Sequence, residues 1–119
     1  MVTAEELRDT IIRGMQEKKA FGIATADLQA IETAPARYFV ICSGNTPQQV
    51  SAIADSVEET VRKEAGEKPA AVVGANNALW VAMDYGTVMV HIFLPDARDH
   101  YDLENLWDDS KLTEIPDLD

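Results

Sequence analysis

Residues 79–94, LWVAMDYGTVMVHIFL, constrain the fold of this chain more than any other segment. Side chains alternate in character on both sides of Tyr85 and Gly86, and a period of two residues is typical of β-strands. Because Gly86 adopts a positive φ at little cost, these two residues predict a tight turn between antiparallel strands. In this register Met83 lies opposite Val88, and the pairing continues outward from there.

The two faces of the predicted hairpin differ in chemistry. The face expected to pack on the core is apolar, and it pairs Leu79 with Ile92, Val81 with Val90 and Met83 with Val88. The other face pairs Trp80 with His91, Ala82 with Met89 and Asp84 with Thr87. An aromatic ring, an imidazole, a thioether and a carboxylate together are typical of a recognition surface. The residues that we predict to contact a partner are Trp80, Asp84, Tyr85, Met89 and His91.

Three of these residues also have a structural interpretation. Trp80 would be covered by a C-terminal helix if both faces of the sheet are packed. His91 would be a core histidine hydrogen-bonded to a neighbouring carboxylate, and Tyr85 would shield the end of a strand. Four residues of the last predicted helix are spaced as the members of one packing face: Tyr101, Leu103, Leu106 and Trp107.

Three helices alternate with strands along the chain. Thr3 with Glu6, and Thr46 with Gln49, each predict a capping box at the start of a helix. The second helix ends near Gly66, and the third runs from Pro95–Asp96 to about residue 107. Further strands are predicted at residues 21–28, 38–43 and 70–73. The order of elements predicts a single α/β domain with a mixed β-sheet and flanking helices.

A length of 119 residues with 46% hydrophobic content suits one compact domain. We assign residues 1–107 to this domain and residues 108–119, which contain Pro116, to an extended or frayed acidic C-terminal tail. The apolar runs are far shorter than the roughly 20 residues that cross a bilayer, and the N-terminus lacks the order of a signal peptide. We therefore expect a cytoplasmic protein without a membrane partner. Cys42 is the only cysteine, so no intrachain disulfide can form.

The charge balance bears on the choice of partner. Ten basic and 21 acidic residues give a formal net charge of −11. Such a charge repels nucleic acid backbones, so no direct nucleic acid binding is expected. The acidic surface suits a basic protein partner, although a solvated surface that maintains solubility has the same composition.

Four blocks in a fixed order carry a family resemblance. They are YFVICSGNTPQQVSAIADSVEE from Tyr38, GEKP from Gly66, LWVAMDYGTVMVHIFLP from Leu79, and YDLENLW from Tyr101. Together they closely resemble the ribosomal silencing factor family, also called the Iojap-related family. Arg37 departs from the family pattern, which usually has an acidic residue before the Tyr-Phe strand, and this leaves open the role of an acid at that position.

The resemblance implies a nucleotidyltransferase-like topology and a non-enzymatic function without a cofactor. Members of the family bind the large ribosomal subunit through its fourteenth ribosomal protein, at the face that meets the small subunit. They thereby block subunit association and repress translation when nutrients are scarce. Trp80 would be the apolar anchor of that contact, and Asp84 would pair with a basic side chain.

Two other classes of function compete with this interpretation. The first is a nucleotidyltransferase-like nucleotide-binding protein, in which a strand end before a helix would hold an anion through Ser43, Gly44, Asn45 and Thr46. The paired carboxylates of two-metal catalysis are missing, because the only Asp-x-Asp, Asp117 and Asp119, lies in the predicted tail. The second class is an interaction module with a non-ribosomal partner. The same hairpin face would also support a homodimer.

Overall fold

A six-stranded mixed sheet forms the centre of the computed structural model, which describes residues 2–103 and 111–117. The elements in chain order are α1 (Ala4–Glu17), β1 (Phe21–Asp27), β2 (Tyr38–Ser43), α2 (Pro47–Ala65), β3 (Ala71–Val73), β4 (Trp80–Asp84), β5 (Val88–Phe93), α3 (Pro95–Tyr101) and β6 (Lys111–Glu114). The strands lie in the order β3-β4-β5-β2-β1-β6. This arrangement confirms the predicted α/β domain.

The β2 strand is the most buried element of the sheet. All six of its side chains are buried, as its continuous apolar sequence predicts. It runs parallel to β5 and antiparallel to β1, so it is hydrogen-bonded along both edges. The β2–β5 pair is the one parallel pairing among the described strands, and α2 lies in the crossover that this pairing requires.

The two faces of the sheet have separate apolar clusters. Helices α1 and α2 cover the first face, where their apolar stripes pack on residues of the hairpin that are fully buried: Val81, Met83, Val88, Val90 and Ile92. On the second face the buried residues are Ala26, Leu28, Phe39, Ile41 and Phe93. Partly buried side chains pack against this second cluster, including Trp80, Met89, Ala97 and Leu103.

The starts of α1 and α2 differ in one respect from the prediction. The reciprocal capping box of Thr3 and Glu6 is present. At α2 the Thr46 side chain accepts a hydrogen bond from the Gln49 amide, but the Gln49 side chain accepts from the Asn45 amide, at 2.7 Å. The reciprocal half of the second box was therefore predicted wrongly. Gln49 also donates to the carbonyls that follow α1, and it thus links the start of α2 to the end of α1.

The hairpin register also differs from the prediction. Asp84 lies opposite Met89, Ala82 opposite His91 and Trp80 opposite Phe93. The loop is Gly86–Thr87, because Gly86, with a φ of +85°, occupies the first of the two loop positions and the Tyr85 amide donates to the Val88 carbonyl. The predicted pairs were wrong, but each strand residue keeps its predicted face because the partner changes by an even number of positions.

The ends of the predicted hairpin and of the last helix need correction. The β4 strand begins at Trp80, and Leu79, assigned to the core face, is 48% exposed. Helix α3 ends at Tyr101, and Asp102 follows with a φ of 47°. The assignment of Leu106 and Trp107 to a packing face lies outside the described residues.

Part of the predicted tail belongs to the sheet. Lys111–Glu114 pair with β1 as the antiparallel edge strand β6, and the Asp117 carboxylate accepts a hydrogen bond from the Gly22 amide at 2.9 Å. The sequence did not predict this strand. Among the described residues, no helix combines the length and apolar character that a bilayer crossing requires.

Helices α1 and α2 approach each other closely at Gly14. A Cβ atom at this position would lie 2.9 Å from the Cα of Val57. The buried Ser56 hydroxyl donates a hydrogen bond of 2.7 Å to the Gly14 carbonyl across the same contact. The absence of a side chain at Gly14 therefore sets the distance between the two helices.

Replacing Gly14 by alanine should destabilise the protein, although alanine is the better helix former. We expect the free energy of unfolding to fall by about 1–3 kcal/mol, because the added methyl group meets backbone atoms of α2 that cannot move away. Urea denaturation measures this change. The control is Glu17→Ala at an exposed position of the same helix, for which a change within about 0.5 kcal/mol is expected. A Gly14→Ala protein as stable as the wild type would contradict the close approach.

Candidate partner-binding site

Trp80 is the best-defined member of the predicted contact surface. Its side chain is half-buried on the second face of the sheet. The indole N–H donates a hydrogen bond of 3.1 Å to Nδ1 of His91, and the ring stacks on Phe93 with a centroid distance of 5.1 Å. The ring of Tyr101, at the end of α3, lies 4.6 Å away. Trp80 is thus partly covered from α3, as its structural interpretation proposed, and it retains an exposed part.

His91 lies beneath this surface. It is 4% exposed and faces Phe39, whose ring lies edge-on at a centroid distance of 4.8 Å. The predicted carboxylate partner is wrong, since the hydrogen bond of His91 is made with the Trp80 indole. Burial lowers the pKa of His91 to about 4, so the imidazole is neutral at pH 7. Its Nε2 atom is buried and has no hydrogen-bond partner among the described residues.

Tyr85 packs on the other side of the sheet. It is 7% exposed and belongs to the cluster under α1 and α2, so it offers a partner little surface. Its hydroxyl is buried without a hydrogen-bond partner among the described residues. Burial raises the pKa of Tyr85 above its usual range. This position fits the structural interpretation, in which Tyr85 shields the end of the strand.

Asp84 and Met89 face each other at the turn end of the hairpin. Both are partly exposed on the second face of the sheet. One carboxylate oxygen of Asp84 accepts a hydrogen bond of 2.7 Å from the Gly86 amide, so this side chain stabilises the turn. The structure therefore brings Trp80 and His91 together at one end of the strands and Asp84 and Met89 together at the other.

Sequence reasoning missed a groove between the start of β4 and α3. Its volume is about 750 Å³. The apolar residues that line it are Leu79, Trp80, Leu94, Pro95, Ala97 and Tyr101. Its polar lining includes Asn45, Asn77, Asp96 and His100. We refer to this feature as the Trp80 groove.

The exposed walls of the Trp80 groove are Tyr101, at 52%, and Leu79, at 48%. Both residues were predicted to lie on packing faces. One feature of the sequence could have predicted this exposure. Helix α3 begins with Pro95 and carries Asp96 and Asp99, so it has too few apolar positions to form a continuous packing face. Both acidic side chains are exposed in the structure, and Asp96 lines the groove and gives this border a negative charge.

Polar groups of the predicted anion site at the end of β2 make hydrogen bonds within the protein, while Asn45 and Thr46 are exposed. The buried Ser43 hydroxyl accepts a hydrogen bond of 2.9 Å from Arg98. The Gly44 amide donates to the Phe93 carbonyl, the Asn45 amide donates to Gln49, and the Thr46 hydroxyl caps α2. The loop therefore uses these groups to join β2, β5 and α2. Within residues 2–103 and 111–117, no three His, Cys, Asp or Glu side chains gather as metal ligands.

Comparisons of the sequence with known proteins all find ribosomal silencing factors. The sequence family described as "Ribosomal silencing factor during starvation" matches residues 2–119. A ribosomal silencing factor of Halalkalibacterium halodurans is 35% identical over 111 residues, which cover 93% of each chain. The ribosomal silencing factor of Bacillus subtilis is 38% identical over 99 residues, which cover 83% of this chain and 82% of the relative.

The fold is similar to that of solved structures as well. A crystal structure of a Chromobacterium violaceum protein superposes with a TM-score of 0.85 at 31% identity. The match covers 96% of this chain and 93% of that protein. The Chromobacterium violaceum protein therefore has the same arrangement of sheet and helices.

Lowering the pH from 7.5 to 5 should destabilise the protein through His91. Its pKa is about 4 in the folded protein against 6.5 ordinarily, so the unfolded chain binds more protons in this range. The contribution of His91 to stability is fully present above pH 6.5 and is lost as the pH falls towards 4. We expect a loss of about 2 kcal/mol at pH 5, measured by urea unfolding at the two pH values.

The control for this experiment is His91→Leu, which cannot titrate. Other groups contribute to the pH dependence of both proteins, so the quantity of interest is the difference between them. Equal losses of stability in the wild type and in His91→Leu would contradict a buried, neutral His91.

Removing the Tyr85 hydroxyl should not cost stability. We expect Tyr85→Phe to leave the free energy of unfolding unchanged or to raise it by up to about 1 kcal/mol, because a buried hydroxyl without a partner is lost. Tyr85→Ala should instead cost about 3 kcal/mol or more, because the ring fills the core. Urea denaturation of both variants tests this. A loss above about 1 kcal/mol in Tyr85→Phe would show that the hydroxyl has a bonding partner.

Proposed function

Because the chain belongs to the ribosomal silencing factor family, we propose that it binds the large ribosomal subunit through the fourteenth protein of that subunit. In this position it blocks association with the small subunit and represses translation. The contact is made by the Trp80 groove and by the adjoining second face of the hairpin, with Met89 and Asp84. The observation that carries this assignment of the site is the grouping of Trp80, Tyr101 and Leu79 on one exposed groove.

The chemistry of the groove supports a protein partner. Aromatic side chains often provide most of the binding free energy of an interface, especially where they lie in a pocket that excludes water. Trp80 is already held by Phe93, His91 and Tyr101, so little side-chain freedom is lost when a partner binds. A partner residue that packs in the groove against both Trp80 and Tyr101 would bury the exposed parts of the two rings.

The distribution of charge supports a basic partner. The net charge is −11, and the exposed Asp96 lines the groove. This charge speeds the encounter with a positively charged ribosomal protein and opposes adhesion to rRNA. Binding should therefore weaken as the salt concentration rises, because exposed charges are screened.

Steric exclusion accounts for the silencing without any catalytic step. The fold measures 35 × 33 × 29 Å, which is large enough to keep two surfaces apart when it is docked between them. The relatives are named as silencing factors, and the loop at Ser43–Thr46 uses its polar groups within the protein. We therefore assign no enzymatic activity and no cofactor to this chain.

A homodimer formed through the same surface would compete with the ribosome. The high negative charge opposes the association of two copies, so we place the ribosomal protein as the principal occupant of the groove. Self-association at high protein concentration would hide Trp80 and thereby lower the silencing activity.

Sedimentation with separated ribosomal subunits tests the proposal. We expect the wild-type protein to migrate with the large subunit and not with the small one. Trp80→Ala and Tyr101→Ala should each weaken this binding by more than about 1 kcal/mol while the fold is retained. The matched control is Leu112→Ala, which removes another exposed large apolar side chain, 45% exposed, on the opposite edge strand.

The second measurement is subunit joining. Addition of the wild-type protein to separated subunits should reduce the fraction of assembled ribosomes, and Trp80→Ala should reduce it less. Migration with neither subunit would contradict the ribosomal function. Equal binding by Trp80→Ala, Tyr101→Ala and Leu112→Ala would keep the function and move the site elsewhere.

A further inference from the structure

The hydrogen bond between Trp80 and His91 links the exposed groove to the interior of the sheet. An indole is a hydrogen-bond donor only, so His91 must accept through Nδ1, which lies 3.1 Å from the indole nitrogen. The two residues are diagonal neighbours on β4 and β5. Ala82, directly opposite His91, contributes only a methyl group, and the indole therefore reaches the imidazole from the next position on the same face.

The chemical state of His91 is fixed by this contact. A neutral imidazole that accepts through Nδ1 carries its proton on Nε2. That atom is buried and has no hydrogen-bond partner among the described residues. A buried N–H without a partner destabilises the folded protein, so an apolar residue of similar size would suit the core at least as well. Packing alone therefore does not account for an imidazole at this position.

We propose that His91 is a positioning residue, which holds the indole of Trp80 in the orientation that the ribosomal partner binds. The inference rests on the function proposed above and assigns His91 a role within that site. It replaces the prediction that His91 itself contacts the partner, because a side chain that is 4% exposed has almost no surface to offer.

The surrounding rings explain why a hydrogen bond is needed. Phe93 stacks on Trp80 at 5.1 Å and Tyr101 lies 4.6 Å from it, but contacts between ring faces do not define which edge of the indole points inward. The bond to Nδ1 turns the N–H edge towards the sheet. The remaining edges of the indole then have a defined position in the Trp80 groove before the partner arrives.

Nuclear magnetic resonance tests the orientation directly in the free protein. An N–H···N hydrogen bond transmits a scalar coupling between its two nitrogen nuclei. In ¹⁵N-labelled protein we expect such a coupling between the Trp80 indole nitrogen and Nδ1 of His91, together with nitrogen shifts of an imidazole protonated on Nε2. In Trp80→Phe, which lacks the indole N–H, this coupling should be absent. The absence of the coupling in wild-type protein would overturn the proposal, whatever the ribosome assays give.

Binding assays with the large subunit test the consequence. We expect His91→Leu to bind about tenfold more weakly than the wild type. Its stability at pH 7 should stay close to that of the wild type, because loss of the unpaired Nε2–H offsets loss of the bond to the indole. His91→Asn should recover most of the affinity, because its Oδ1 atom branches from Cγ as Nδ1 does and can accept from the indole. If His91 were important only for packing, His91→Asn would bind more weakly than His91→Leu, and the losses of affinity would parallel the losses of stability.

A double-mutant cycle separates this role from other effects of the substitution. In a Trp80→Phe background the indole N–H is absent, so His91→Leu should cause no further loss of affinity. An equal loss in both backgrounds, or wild-type affinity in folded His91→Leu, would overturn the positioning role. If His91→Leu does not fold, His91→Phe, which also lacks a hydrogen-bond acceptor, takes its place in the cycle with the same expected outcomes.

The two proposals fail in different ways. Wild-type protein that does not sediment with the large subunit would overturn the proposed function, even where the coupling between the two nitrogens is observed. Wild-type binding that is insensitive to every change at His91 would leave the proposed function intact and remove His91 from it.

Discussion

The burial of β2 is the constraint on which the rest of the structure depends. All six of its side chains are shielded from water, so apolar layers are needed on both faces of the sheet. Helices α1 and α2 provide the first layer, and the contact at Gly14 keeps them close enough to act as one unit. The parallel pairing with β5 then requires a long crossover, which the chain makes through α2 and the β3–β4 segment before it returns to the neighbour of β2.

The second layer is less complete, and this difference locates the site. Phe39, Ile41 and Phe93 are buried there, but Trp80 and Met89 are only partly covered. Helix α3 has seven residues, none of them buried, and its Arg98 donates to the Ser43 hydroxyl at the end of β2. A short helix fixed in this way covers one part of the sheet and leaves Tyr101 and Leu79 exposed beside Trp80. The groove is thus a consequence of how little apolar surface α3 brings to the sheet.

Capping residues and side-chain periodicity were sufficient to predict most helices and strands from the sequence. The details of the site depend on contacts between residues distant in the chain, which these local patterns do not give. The period of two residues in the hairpin was sufficient to assign Trp80, Ala82 and Met89 to one face. It could not give their partners, because the register depends on whether Gly86 takes the first or the second loop position. In the observed register Trp80 and His91 are diagonal neighbours, and the pattern of the sequence did not show that His91 would bond to the indole instead of a carboxylate. The strand β6 escaped prediction because four residues that pair with a segment far away in the chain carry little pattern of their own.

The pairing of β6 with β1 has a consequence for the solution behaviour of the protein. Without Lys111–Glu114, β1 would be the outer strand of the sheet. Its sequence, FGIATAD, is largely apolar, and the backbone groups that now pair with β6 would then have no partner strand. Exposed strands of this kind recruit strands from other molecules and begin aggregation. The short β6 strand, whose Glu114 is exposed, covers that edge with a strand less suited to such pairing. A stretch of chain that appears dispensable in the sequence is therefore part of what keeps the folded protein from polymerising.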